Sequence, residues 1–171
     1  MASDTAPAAL PAHLLALRRH FLDLRDGRHG DNAVARKDKE SLFAQAVDFL
    51  DPYARQTLVE MNESLLLATG TVTATGLIRS AGGDLTGTWS LSWPEQLERR
   101  IQPVALQAFF GRAFHHPHLR GATVGNWPLN VFSEDDAAAE LPILRGIASA
   151  DLHNLVFQSD YRIIPAIMIS R

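Results

Sequence analysis

The N-terminal part of the chain places apolar residues at the three- and four-residue spacing of an amphipathic helix. This spacing predicts a helix from Pro11 to Asp26 that stops near Gly27. Its apolar stripe consists of Leu14, Leu17, Phe21 and Leu24. The next residues, 27–39, have no apolar period and collect loop-forming residue types, which predicts a mobile connection.

Two more helices are predicted between this connection and Gly70. The buried stripe of the first consists of Leu42, Phe43, Ala46, Val47 and Leu50. Asp51 and Pro52 have the residue types of an N-cap and a first helical position, which predicts that a separate third helix starts there. Gly70 follows the last turn of the third helix, where a left-handed closing residue is expected.

At Gly70 the apolar period changes from about 3.6 residues to 2, the spacing of a β-strand. Residues 71–78 and 85–93 alternate apolar with hydroxyl side chains on either side of a polar turn at 80–84. This alternation predicts an antiparallel hairpin. One face of its first strand is expected to carry Val72, Ala74, Gly76 and Ile78. We expect the apolar face of the hairpin to be buried and the hydroxyl face to meet solvent or a partner.

Pro94 and Pro103 each suit the first position of a helix. The first of these short helices is expected to end at Arg100 and the second at Phe114. The buried residues of the second are expected to be Val104, Leu106, Phe110 and Phe114. Residues 115–130 follow neither period and predict an irregular loop of about 15 residues, a length that is more often functional than that of ordinary connections.

Two further elements are predicted in the C-terminal part of the chain. Ser133 and Asp136 have the spacing of a capping box, which predicts the start of a helix there. The apolar face of this helix consists of Leu144, Ile147 or Ala148, Leu152 and Leu155. Residues 161–169 are apolar at odd and even positions alike, which predicts a final strand that is buried on both faces.

Together these elements predict an α+β fold. A helical N-terminal half packs on an antiparallel β-sheet, with a C-terminal covering helix and a final strand. A flexible tail is expected at residues 1–10 and one domain at residues 11–171, because 171 residues with 46% hydrophobic content suit a single core.

Composition narrows the classes of partner. A formal charge of −3 is not the basic excess of a nucleic-acid-binding protein, so no nucleic-acid partner is expected. The chain has no cysteine, which excludes disulfides, thiolate nucleophiles and cysteine-bound metals. The N-terminus has Asp4 where a secretory signal carries positive charge, and the longest uncharged stretch is too short to span a bilayer. We therefore expect a cytoplasmic protein with no membrane partner.

The candidate chemistry lies in the histidines of the predicted loop. Neutral imidazole is the commonest protein metal ligand, so His115, His116 and His118 are candidate ligands of a divalent metal. Pro117 favours extended backbone, on which the rings of His116 and His118 point the same way. The same two residues, with His153, are candidate acid–base catalysts. Ordinary hydrogen bonding in a surface loop remains an alternative for each.

Other residues have weaker claims to a site. Arg112 and Arg120 flank the histidines and suit a carboxylate or phosphate ligand, unless they are solvated. Trp127 lies in the same loop and suits the wall of a cleft, with core packing as the alternative. Asp151 suits the orientation of a histidine. His20 lies beside arginines, which disfavour a cation there.

Two functions from different classes fit these observations. The first is a small-molecule enzyme of lyase or hydrolase type, with or without a divalent metal, whose site lies under the loop 115–130. The second is a non-catalytic accessory or assembly subunit, either in a homo-oligomer or with a partner subunit. Two segments of opposite charge permit self-association, with ordinary solvated faces as the alternative: residues 18–39 hold seven basic and four acidic side chains, and residues 134–151 hold one basic and five acidic. Catalytic histidines should converge in a concave pocket, whereas a subunit should expose a flat apolar patch.

Overall fold

The computed structural model describes residues 9–30 and 33–169, and it has an α+β fold with one antiparallel sheet. Most of the predicted tail, 1–10, lies outside the described residues. The elements in chain order are α1 (Ala12–Asp26), α2 (Arg36–Leu65), β1 (Thr71–Arg79), β2 (Leu85–Ser92), α3 (Pro94–Glu98), β3 (Val104–Phe110), β4 (His118–Arg120), β5 (Trp127–Pro128), α4 (Glu134–Ala139), α5 (Leu141–Gln158), a 3₁₀ turn (Tyr161–Ile163) and α6 (Pro165–Ile169). No helix in the described ranges is long and apolar enough to cross a membrane.

Helix α1 has the predicted bounds. It ends at Gly27, whose φ of 66° is left-handed and whose backbone N–H bonds back to the last turn. The stripe predicted to be apolar faces largely outward, however: Phe21 is 59% and Leu24 is 68% exposed. The half-buried residues of α1 are instead Ala16, Leu17, Arg19, His20 and Asp23. The helix therefore docks mainly through polar groups.

The predicted break at Asp51 and Pro52 is wrong, because α2 is one helix of 30 residues with Pro52 inside it. Asp51 does not cap a helix. Its carboxylate accepts the indole N–H of Trp89 at 2.8 Å and binds Arg55 at 2.9 Å. Buried residues continue on both sides of the proline, at Phe43, Ala46, Val47, Leu50, Ala54, Thr57 and Leu58. Burial along this stripe outweighs the one hydrogen bond that proline removes.

The prediction of a left-handed Gly70 is also wrong. Leu67 and Ala68, with φ of 53° and 58°, make the turn after α2. Gly70 is required for space, since an added Cβ would lie 2.7 Å from Asn62 Oδ1 and 2.8 Å from Leu91 Cδ1. The Asn62 side chain accepts a hydrogen bond from Gly70 N at 2.8 Å and donates one to its carbonyl. Gly70 thus joins α2 to the sheet.

The predicted hairpin is confirmed as β1 and β2, with Val72 opposite Leu91 and Ala74 opposite Trp89. A register shift follows Ala74, and Gly76 has a φ of 67° there. This bulge puts Ile78 on the opposite face from Ala74, so the predicted alternation of β1 fails beyond Ala74. In β2 the predicted alternation holds, with buried Leu85, Gly87, Trp89 and Leu91.

The helix predicted after Pro103 is wrong, because Val104–Phe110 is strand β3. Val104, Leu106 and Phe110 are buried as expected, but at the two-residue spacing of a strand. Phe114 lies beyond the strand and is 41% exposed. The short helix predicted after Pro94 is present as α3.

The segment 115–130 is more regular than predicted. It contains β4 and β5, which extend the sheet so that the strand order is β1-β2-β3-β4-β5. His118 pairs with Phe109 of β3, and Leu119 pairs with Trp127 of β5. Because neighbouring partners alternate between faces, His118 and Phe109 share the face opposite to Leu119.

Helices α2 and α5 cover the inner face of the sheet. The predicted start of the covering region is confirmed, since Ser133 Oγ accepts a hydrogen bond from Asp136 N at 3.1 Å. The buried residues of α5 are Leu144, Ile147, Ala148, Asp151 and Leu152. Along β2, the close approach of α2 leaves no room for a side chain at Gly87, whose added Cβ would lie 2.8 Å from Val47.

The predicted final strand is wrong. Residues 161–163 form a 3₁₀ turn and Pro165–Ile169 forms α6. Asp160 caps the turn by accepting the N–H of Arg162 at 2.8 Å, and Pro165 starts the helix. Ile163 is buried and its carbonyl accepts the indole N–H of Trp93 at 2.7 Å. This segment is therefore held by the cap at Asp160 and by the hydrogen bond from Trp93, and not by pairing with a strand.

Candidate functional site

A cavity of about 250 Å³ opens where α1, the segment after it and α2 meet the turn before β4. Its lining residues are His20, Asp23, Leu24, Gly27, Arg28, His29, Lys39, His115 and His116. We call this space the histidine cavity. Seven of the nine lining residues are of polar or charged type, and sequence reasoning placed only His115 and His116 of the nine in a site.

The structure brings His116 and His118 together as the sequence predicts. Their ring centroids are 4.6 Å apart with planes at 55°. Pro117 separates them, and β4 holds His118 against β3 through the pairing with Phe109. His118 is 8% exposed, and its Nδ1 is buried without a hydrogen-bond partner among the described residues.

His20 of α1 is the residue that sequence reasoning missed. Its ring lies 4.0 Å from that of His116, edge to face at 80°. The sequence prediction for His20 considered only the charge of the neighbouring arginines on α1 and not the residues that pack against the helix. His20 lies on the half-buried polar face of α1, and 96 positions in the chain separate it from His116. A polar stripe of Arg19, His20 and Asp23 was the available signal, but the apolar stripe was taken as the docking face.

His29 is the second histidine that was missed. It lies in the connection predicted to be mobile, yet it is only 2% exposed. Its ring stacks at 6.5 Å on Phe110 and lies edge to face at 5.2 Å from Phe132. Its backbone pairs with Ala33 in an isolated β-bridge. Burial lowers the pKa of His29 to about 4, only partly opposed by Asp23.

The pKa values of His116, His20 and His118 are lowered as well. Burial, together with the nearby imidazoles of His20 and His118, lowers the pKa of His116 to about 4. Burial lowers the pKa values of His20 and His118 as well. At neutral pH each ring therefore offers one N–H donor and one free lone pair, the form required of a base or a metal ligand.

The three predicted metal ligands are not gathered at one point. His115 is exposed at the cavity rim, and its carbonyl accepts a hydrogen bond from Lys39 Nζ at 3.3 Å. In residues 9–30 and 33–169, no group of three or more His, Asp or Glu side chains is arranged to hold a metal ion. The ring contacts join His20, His116 and His118 instead.

His153 lies on α5 outside the histidine cavity. It is exposed, stacks on Phe157 at 4.4 Å, and its Nδ1 lies 3.3 Å from Asn154 Oδ1. Asp151 does not orient a histidine. Its buried carboxylate accepts the backbone N–H groups of Ala122 and Thr123, both at 2.8 Å, and so fastens the β4–β5 loop to α5.

The predicted binding residues lie apart from one another. Arg112 lines a second cavity of about 330 Å³ that shares Lys39 and His115 with the histidine cavity. Arg120 stacks on Phe109 at 3.8 Å and donates to Gln107 Oε1 at 2.6 Å on the outer face of the sheet.

Trp127 packs against the core, and its indole nitrogen is buried without a partner among the described residues. Neither Arg120 nor Trp127 lines the histidine cavity.

The chain has an α+β fold with a histidine-lined cavity where α1, the segment after it and α2 meet the turn before β4. Comparison of the chain with protein-family models, with curated proteins and with solved structures finds no match.

Proposed function

We propose that this protein is a small-molecule enzyme of lyase or hydrolase type that uses the histidine cavity as its active site. The observation that carries the proposal is the contact of His116 with His20 and His118 beside a concave cavity of about 250 Å³. At about 250 Å³ the cavity lies just below the roughly 300–1,000 Å³ of most small-molecule sites, so it suits a small ligand. Convergence in a concave pocket is what catalytic histidines require.

His116 and His20 form the acid–base pair in this proposal. Two imidazoles with ring centroids 4.0 Å apart do not both carry a charge, because like charges at this distance repel strongly in a partly buried site. The pair therefore takes up at most one proton beyond the N–H that each neutral ring carries. One neutral ring accepts a proton from the substrate, and the imidazolium so formed then donates that proton to the leaving group, which suits an elimination or a hydrolysis. His118 contacts the ring of His116 at a centroid distance of 4.6 Å.

A ligand screen followed by a turnover assay tests this proposal. The probe is a panel of small carboxylates, phosphate esters, neutral sugars and amines, with binding followed by the ring proton resonances of His20 and His116. We expect at least one panel member to shift these resonances and to be converted. The variant His116→Gln should abolish conversion, and the matched control His153→Gln should retain it. A ligand that binds but is never converted would overturn the catalytic role, and a silent panel would overturn the site as well.

A divalent metal bound by the histidines is the alternative to the acid–base pair as the source of catalysis. Neutral imidazoles are suitable ligands, although the described residues do not gather three of them around one point. Metal content of the purified, untagged protein, measured by mass spectrometry beside His116→Ala/His118→Ala, decides between the two mechanisms. Near-stoichiometric metal that is lost in the double variant would replace the acid–base pair by a metal-bound catalyst.

A second candidate function is an accessory or assembly subunit that self-associates through α1. The apolar residues on the outward side of α1 favour it: Leu14, Leu15, Phe21, Leu22 and Leu24 are all 38–68% exposed. A surface groove of about 420 Å³ runs beside Leu14 and Phe21. Sedimentation equilibrium should then show a dimer that Leu14→Ser/Phe21→Ser dissociates, while Phe157→Ser on α5 does not. A monomer at about 0.1 mM would exclude this function.

A further inference from the structure

A small cavity of about 80 Å³ lies between α1 and the region around α4. Its polar lining residues are Arg19 on α1, Asn130 before α4, Asp136 on α4 and Glu140 at the junction of α4 and α5. We call this space the α1–α4 cavity. It shares no lining residue with the histidine cavity, so a ligand held in it is independent of the function proposed above.

Two buried oxygen atoms of the cavity lining have no hydrogen-bond partner among the described residues. They are Oε2 of Glu140, a residue that is 5% exposed, and Oδ1 of Asn130, a residue that is 3% exposed. The orientation of the Asn130 amide is fixed, because its Nδ2 donates to the carbonyl of Ala16 at 2.9 Å and that carbonyl would repel Oδ1. Burial of an oxygen without a partner is costly, so both atoms require a hydrogen-bond donor or a cation.

The other two charges of the cavity are paired with each other. Arg19 binds both carboxylate oxygens of Asp136, at 3.0 and 3.1 Å. Asp136 also accepts the N–H of Phe132 at 3.1 Å, and Arg19 also donates to the carbonyl of Asn130 at 3.2 Å. Burial, with Asp136, raises the pKa of Glu140 to about 7, and Arg19 opposes this rise only in part. At pH 8 Glu140 is therefore an ionised carboxylate with an unpartnered oxygen in the described part of the chain.

We propose that the α1–α4 cavity binds a small monovalent cation, Na⁺, K⁺ or NH₄⁺, between Glu140 Oε2 and Asn130 Oδ1. Carboxylate and amide oxygens are the ligands that hard cations take, and ammonium donates hydrogen bonds to the same two atoms. The single charge of the ion matches the single carboxylate that Arg19 does not bind. The volume of about 80 Å³ exceeds the roughly 10–15 Å³ that one water requires, so the ion keeps water ligands. Water alone would leave the charge of Glu140 uncompensated.

Thermal unfolding at pH 8 tests the inference. The protein is unfolded in about 0.2 M NaCl, KCl or NH₄Cl, and in tetramethylammonium chloride as a bulky cation at the same ionic strength. We expect at least one small cation to raise the Tm by about 2–4 °C above its value in tetramethylammonium chloride, because a ligand that binds only the folded state stabilises it. Glu140→Gln should abolish this difference, and the exposed control Glu63→Gln should retain it. Equal Tm values in all four salts, or an unchanged cation effect in Glu140→Gln, would overturn the inference.

Stability without the ion gives a second comparison. In tetramethylammonium chloride at pH 8, Glu140→Gln should be more stable than the wild-type protein, because the variant has no buried carboxylate to compensate. The stabilising cation should narrow that difference. A difference that is the same with and without the cation would count against the site.

A direct measurement on the wild-type protein removes the dependence on a variant. Relaxation of the ²³Na, ³⁹K or ¹⁴N nucleus of the stabilising cation reports its binding. The bound ion should be displaced by another small cation and not by tetramethylammonium, whereas an ion held only by surface charge exchanges with either. Displacement by tetramethylammonium would overturn the inference.

Discussion

Helices α1 and α2 have similar amphipathic patterns, but they are attached to the molecule in opposite ways. Helix α2 buries its apolar stripe so fully that Phe43, Leu50 and Leu58 are 0% exposed. Helix α1 turns Phe21 and Leu24 outward and docks through hydrogen bonds instead. Asn130 Nδ2 donates to the carbonyl of Ala16 at 2.9 Å, and Arg19 binds Asp136 at 3.0 Å. An apolar stripe therefore identifies a helix without identifying its docking face.

The difference has an energetic consequence for the site. A fully buried leucine contributes roughly 1.5–3 kcal/mol, whereas an exposed ion pair contributes about 0.2–1 kcal/mol. Helix α1 is thus the weakly attached part and α2 the strongly attached part. The histidine cavity lies at their junction, with His20 on the first and Lys39 on the second. Its geometry depends on the weaker attachment.

The largest effect on stability is expected from a substitution in the buried stripe of α2. Leu50→Ala should lower the free energy of unfolding by about 2–5 kcal/mol, because it leaves a cavity in the core. Leu24→Ala, the matched change on α1, should lower it by less than about 0.5 kcal/mol. Urea denaturation followed by circular dichroism measures both. Equal losses would mean that the outward stripe of α1 is buried in solution.

Acidification should act next most strongly, through His29 at the junction. Its folded pKa of about 4 lies below the ordinary 6.5, so its stabilising contribution is complete above pH 6.5 and is lost as the pH falls toward 4. The loss is up to about 3 kcal/mol. His29→Gln should flatten this part of the pH profile of the unfolding free energy. His153→Gln, on the exposed side of α5, should leave the profile as it is, and a profile unchanged by His29→Gln would refute the assignment.

The sequence predicted the parts of the fold whose periodicity is long and unambiguous. The hairpin is an example, because Leu85–Ser92 alternates over all eight residues and Thr71–Arg79 alternates up to the bulge after Ala74. The run at Val104–Phe110 was misread because Leu106, Phe110 and Phe114 recur at steps of four, which also fits a helical face, and Pro103 favoured that interpretation. Pro52 was misread because local propensity ignores the burial available on both sides of it.

Only the part of the site formed by residues close together in sequence was predicted. His116 and His118 were found because one proline separates them and their rings share a side. His20 and His29 lie beside these two residues because of the way α1 docks. The apolar stripe of α1 does not indicate which face of the helix docks. Buried rings in a polar segment leave no periodic signal, so His29 could not be separated from an ordinary loop residue. Tertiary packing alone identifies these two.

A smaller effect of opposite sign is expected from Glu140, which also faces α1. It is 5% exposed, and its Oε2 is buried without a partner among the described residues. Burial, with help from Asp136, raises its pKa to about 7. Its contribution to stability is therefore complete below pH 4.5 and is lost as the pH rises to 7. Glu140→Gln should stabilise the protein at pH 8 by about 2 kcal/mol, while exposed Glu63→Gln should not. Destabilisation by Glu140→Gln at pH 8 would show that the carboxylate has a partner.

The smallest effect should appear in α1 alone. Arg19→Ala removes both the ion pair with Asp136 and the hydrogen bond to the carbonyl of Asn130, which lie at 3.0 and 3.2 Å. Amide hydrogen exchange should then show that the opening free energy of α1 falls by about 1 kcal/mol while that of α2 is unchanged. Arg18→Ala, one position away on the exposed side, is the control. Since His20 is carried on α1, the ring resonances of His116 should shift in Arg19→Ala and not in the control. Loss of protection in both helices would show that α1 and α2 open as one unit, and the contrast between them would not hold.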